Sequence, residues 1–125
     1  MRFLCMIFHD EPDHNAISDA EWQAFLREGT ARFEDLMAQG TALGGGALQP
    51  RRTAVTVRVR DGKPSFTDGP FVETKEHLAG YVLIDAPDIR TAAEIAATLP
   101  PGRLGAIEVR PLWEYDDMMA RRVPT

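Results

Sequence analysis

The sequence predicts an α+β domain in which two helices cross one face of an antiparallel sheet. Three observations carry that expectation. Phe3–Phe8 is an unbroken apolar run, the stretch from Trp22 to Met37 carries an apolar stripe at helical spacing, and a strand–helix–strand order recurs after a central hairpin.

Phe3-Leu4-Cys5-Met6-Ile7-Phe8 is apolar at every position, the pattern of a strand covered on both faces. His9-Asp10-Glu11-Pro12-Asp13-His14-Asn15 breaks it with a polar loop. Ser18-Asp19-Ala20-Glu21 is a capping box, in which serine and glutamate satisfy the free N–H groups of a helix start. Trp22, Phe25, Leu26, Gly29, Phe33, Leu36 and Met37 then line one side of a helix that ends at Gly40, and its aromatics are expected in the core. Thr41 to Leu48 reads as a short strand interrupted by Gly44-Gly45-Gly46. Val55, Val57 and Val59 alternate with Thr56, Arg58 and Arg60, a half-exposed strand. Asp61-Gly62 turns it into a hairpin whose return arm, Pro64 to Thr67, is held to an edge by its proline. Leu78 to Ile84 is a further strand, Asp88 opens a helix that Pro100-Pro101-Gly102 stops, and Ala106 to Leu112 is the last strand. This order is ferredoxin-like. Because two helices cover one sheet face only, a second copy stacked sheet to sheet is expected to cover the other, giving a homodimer. Residues 1–114 read as a single domain and 115–125 as a C-terminal tail.

Composition narrows the function. Nineteen acids against 14 bases give a net charge of −5, and the bases are scattered, so nucleic acid is not an expected partner. The longest N-terminal apolar run is too short for a signal core or a membrane span, and a lone Cys5 in apolar company reads as a buried thiol in a reducing compartment. Cytoplasmic is the expected location, with no membrane association.

Asp68-Gly69-Pro70-Phe71-Val72-Glu73-Thr74-Lys75-Glu76 resembles the signature of the DGPF family, written DGPFxETKE, at every specified position. Gly45-Gly46-Ala47-Leu48-Gln49-Pro50, the Gly80-Tyr81 strand and Glu108-Val109-Arg110-Pro111 fall in the family's order, so the resemblance spans residues 1–114. It implies the dimeric α+β barrel fold of the YCII-related superfamily. That superfamily includes proteins with a proposed His–Asp pair in an inter-subunit cleft, among them a dehydrochlorinase-like lyase. This chain has His9 where members commonly carry glycine before the Asp-Glu pair. Members are also often encoded beside extracytoplasmic-function sigma factors, which implies a second reading: a non-catalytic regulatory module with a sigma-factor-pathway partner.

Several groups are candidates for chemistry. In the DGPF segment, Asp68, Gly69 and Pro70 suit a rigid turn and Phe71 a plug for the core, whereas Glu73, Lys75 and Glu76 exceed what a turn needs and suit ligand contact. The loop from His9 to His14 holds imidazoles and carboxylates that suit either solvation or acid–base work, with Asp10 best placed at a strand end. No metal site is expected there, since a proline-broken loop does not fix ligand geometry. Gly44-Gly45-Gly46 lacks the Gly-Lys-Ser/Thr ending of a phosphate loop and reads as a bulge or a close backbone approach. His77 is expected at the surface, with a role as base the alternative. Tyr81 and Arg110 are further ligand candidates, arginine suiting a carboxylate or phosphate. The leading expectation is a dimer cleft near Asp10, Asp68, Glu73, Lys75 and Tyr81. It would bind a small polar or anionic metabolite, with cofactor-free acid–base turnover involving His9, Asp10 and Asp68.

Overall fold

A computed structural model describes residues 1–11 and 16–124. In chain order they form β1 (Arg2–His9), α1 (Asp19–Ala38), β2 (Ala42–Ala47), β3 (Val55–Arg60), β4 (Lys63–Asp68), β5 (His77–Asp85), α2 (Ile89–Ala96), β6 (Gly105–Pro111) and α3 (Tyr115–Met119). Short 3₁₀ turns occupy Arg51–Thr53 and Pro100–Leu104. The main sheet has the order β2-β5-β1-β6, every pair antiparallel, as two interleaved β-α-β units require. The hairpin β3–β4 forms a separate two-stranded sheet. The short helix α3 falls within the segment expected as a tail and makes the helices three rather than two.

Local chemistry fixes the helix ends. The Ser18 hydroxyl accepts the Glu21 N–H at 3.1 Å, and the Asp88 carboxylate accepts that of Thr91 at 2.7 Å. At the far end of α1, the N–H groups of Gly40 and Thr41 donate to the carbonyls of Met37 and Leu36, with Gly40 at φ +75° supplying the left-handed turn.

Alternation in β1 divides its apolar run. Phe3, Cys5 and Ile7 point toward the helices and are buried with Val82, Ile84, Leu36, Ala92, Ala96 and Leu99. Leu4, Met6 and Phe8 point the other way with Leu83 and stay half-buried, while Tyr81 beside them is 40% exposed. The core therefore lies on one face only.

The DGPF turn departs from expectation at Phe71, which is 71% exposed rather than plugged into the core. The hairpin leaves the sheet, so no core lies beneath this loop, and Phe71 instead meets the Arg58 guanidinium 5.2 Å from its ring centre. The turn is fixed by Gly69, at φ +100°, whose N–H donates to the Ala54 carbonyl and whose carbonyl accepts the Thr56 hydroxyl, each at 2.8 Å.

Candidate active site

The sheet under α1 is built from residues with almost no side chain. Gly45, Gly46 and Ala47 of β2 lie beside Ala79 and Gly80 of β5. A Cβ on Gly45 would sit 2.6 Å from the Tyr81 carbonyl and 3.1 Å from the Phe33 ring, so a side chain there would collide. The triglycine is thus both a bulge, where the β2–β5 register shifts between Ala42 and Gly44, and a close approach.

These missing side chains leave space. A cavity of about 390 Å³ opens between this floor and the Trp22, Phe25 and Phe33 rings of α1, a size suited to a small ligand. The helix aromatics, expected in the core, are half-buried walls instead, and Leu36 alone on α1 is fully buried. Trp22 and Phe25 stack with ring centres 5.8 Å apart.

His9, Glu11 and His77 line the cavity at one end, and Thr30 and Tyr81 also border it. His77, expected at the surface, opens β5 beside the end of β1, and its side chain is only 11% exposed. Its Nδ1 is buried and has no hydrogen-bond partner among the described residues. Its Nε2 lies 4.0 Å from a Glu11 carboxylate oxygen, a contact longer than a hydrogen bond. The His9 ring meets His77 edge to face at 6.0 Å, and its Nδ1 lies 2.6 Å from the Asp10 carbonyl.

Glu11 is held in turn by Arg51, whose N–H donates to it at 3.1 Å and whose Nε lies at 3.7 Å. The Arg51 guanidinium also donates to the Thr74 carbonyl, and the Thr74 hydroxyl donates to the Glu76 carbonyl. The signature segment therefore reaches the imidazoles through Arg51 and Glu11.

Asp68, Glu73 and Lys75 gather with Arg51 and Arg52 around an open groove of about 710 Å³. Asp10 lines neither space and contributes its carbonyl to His9. Glu76 packs its carboxylate against Gly105. Arg110 pairs with Glu108 at 2.5 Å, in register with Leu4 and Met6 on the sheet's open face. The Tyr81 ring lies over Gly46, on that same open side. Pro12, Asp13 and His14 of the acidic loop lie outside the described residues. Among the described residues no three metal-ligating side chains converge.

Cys5 is fully buried, and desolvation pushes its thiol up to about 11, which keeps it protonated and unreactive near neutrality. Among the described residues no helix is long and apolar enough to cross a membrane.

Sequence inspection missed the cavity and the role of Arg51. The signal for the cavity was a run of glycine and alanine on two paired strands opposite a helix rich in aromatics. Arg51 carries no such mark, because its partners Glu11 and Thr74 are remote in sequence.

Comparison with known proteins places these features in a family. The uncharacterized protein R00369 of Rhizobium meliloti (strain 1021) is 32% identical over 117 residues, covering 92% of this chain and 94% of its own length. Among solved structures, 5-chloro-2-hydroxyhydroquinone dehydrochlorinase from Burkholderia phenoliruptrix AC1100, in complex with 2,5-dihydroxybenzoquinone, aligns over 93% of this chain and 97% of its own. The TM-score is 0.49 at 17% identity. Residues 1–116 match the YCII-related domain, and the chain belongs to that family.

Proposed function

We propose that this protein binds a small, flat, largely apolar molecule bearing a polar substituent in the cavity beneath α1, and turns it over by cofactor-free acid–base, lyase-like chemistry. The observation that carries this reading is a ligand-sized cavity lined by His77, whose buried Nδ1 has no hydrogen-bond partner among the described residues. Rings on one wall and bare backbone on the other suit a planar ligand. One imidazole accepts a proton from the substrate and the neighbouring one returns a proton to the departing group, each step contributing roughly 10²–10⁴-fold in rate. Asp68, Glu73 and Lys75 line a separate groove beside Arg51 whose charges suit a polar or anionic ligand. Asp68–Glu76 supports placing the chain in the DGPF branch of the family.

The protein works as a homodimer whose open sheet faces stack about 10 Å apart, covering Leu4, Met6, Phe8 and Leu83. Met6→Glu then yields a monomer by analytical ultracentrifugation at concentrations where the parent is a dimer; a Met6→Glu dimer removes the stacking.

The ligand reading is tested by thermal-shift titration with hydroxylated aromatic compounds and their carboxylated analogues. Hits raise the melting temperature of the parent protein, and His77→Gln lowers their affinity at least tenfold without changing the unliganded melt. Unchanged affinity in His77→Gln overturns the assignment.

A further inference from the structure

We infer that the β3–β4 hairpin is an arm that a second copy of this chain covers, its basic tip meeting the acidic segment Glu114–Asp117 of that copy. The inference rests on the homodimer proposed above.

Register sorts the hairpin into two faces. Val57 pairs with Phe66 and Val59 with Pro64 on one side; Thr56, Arg58 and Arg60 pair with Thr67, Ser65 and Lys63 on the other. The second side is tied to its own chain through Arg58 on Phe71 and Thr56 on Gly69. The first is bare: Val57 is 55% exposed and Phe66 69%. A two-stranded ribbon with an open apolar face is marginal in water and calls for a cover.

Charge identifies the cover. Arg60 and Lys63 lie directly opposite each other, a repulsive cross-strand pair, and neither has an ion-pair partner among the described residues. With Asp61 in the turn between them the tip keeps a net charge of +1, so two such tips repel and hairpin does not dock on hairpin. Glu114 and Asp116 are likewise without an ion-pair partner among the described residues, while Asp117 holds Arg122 at 2.7 Å.

Topology keeps the two charged segments apart within one chain. The hairpin follows β2, on one edge of the sheet and at the end where β1 finishes. The acidic segment follows β6, on the other edge and at the end where β1 begins. They occupy diagonal corners. A two-fold axis lying along the other diagonal exchanges those corners, so stacking two open faces with their strands crossed near a right angle brings each hairpin to the partner's acidic segment, twice per dimer.

The test is a charge swap read by sedimentation equilibrium of the full chain. R60E/K63E and E114K/D116K each weaken self-association at least tenfold, with circular dichroism of the folded chain unchanged, since all four residues are exposed. Combining all four substitutions restores association to within threefold of the parent. V57S/F66S, which leaves the charges alone, also weakens it at least tenfold. A dimer insensitive to these changes, or one weakened by R60E/K63E and not restored by the swap, overturns the arm while leaving sheet stacking intact. So does hairpin-dependent capture of nucleic acid or of a different acidic protein with self-association unaltered. A monomeric parent overturns both.

Discussion

On the helix side of the sheet Phe3, Cys5 and Ile7 are packed away from water. One position along the same strand, Leu4, Met6 and Phe8 remain half-exposed on the opposite side. The two sets have nearly the same chemistry, so hydrophobicity does not separate them. The side on which α1 and α2 cross decides which set one chain can bury. The helix side itself is uneven: it is densely packed around Leu36, Ile84 and Ala92, and hollow where Gly45, Gly46 and Gly80 face Phe25 and Trp22. Side-chain volume, rather than polarity, draws the line between the core and the candidate site.

Substitutions sharpen this contrast in descending order of effect. In the monomeric Met6→Glu background, Phe3→Ala, at a residue with no solvent exposure, costs about 3–5 kcal/mol in urea-monitored unfolding, whereas Leu4→Ala, one residue on, costs roughly half of that or less. Equal losses would show that both sides are core in a single chain. Gly45→Ala forces a methyl group against the Tyr81 carbonyl and Phe33 and costs about 1–3 kcal/mol by the same measurement.

Cys5 reports on the packed side through pH. Its thiol ionises near 11 in the fold against 9.0 when unfolded, so its stabilising contribution is complete below pH 9.0 and is lost as pH rises toward 11. Stability there falls by up to about 1.4 kcal/mol per pH unit, and Cys5→Ala removes that component of the slope. The smallest effect belongs to the hollow side. Gly29 lies within α1 beside the cavity, and an added Cβ meets only Pro101 Cδ at 3.9 Å. Gly29→Ala therefore stabilises by roughly 0.5–1 kcal/mol, seen as a raised melting temperature; a loss would mean that the helix is closer to the floor than its walls indicate.

Much of the fold was legible because it rests on local rules. The capping box at Ser18, the stop at Gly40, the Asp61-Gly62 hairpin turn and the Asp88 cap each depend on a few neighbouring residues, and each lies where the sequence places it. The site was only partly legible. His9 could be singled out as an imidazole at a strand end, and Asp68, Glu73 and Lys75 as charges in excess of a turn's needs. The burial of His77 could not be read from its polar neighbours Glu76 and Lys75, since it follows from the pairing of His77 with His9 across β1 and β5. Phe71 misled for the converse reason: an aromatic in a turn signals a core plug only where a core lies beneath, and the hairpin had left the sheet.

By itself the sequence determined the α+β order, the sheet's apolar strands and the inert buried thiol. Those properties are set by neighbours in the chain, by periodicity and by composition. Tertiary structure alone decided that a glycine floor faces an aromatic helix across a void, and that Arg51 links the signature loop through Glu11 to His77. Residues 40 and 23 positions apart meet there, and such meetings depend on how the strands pair and the helices cross.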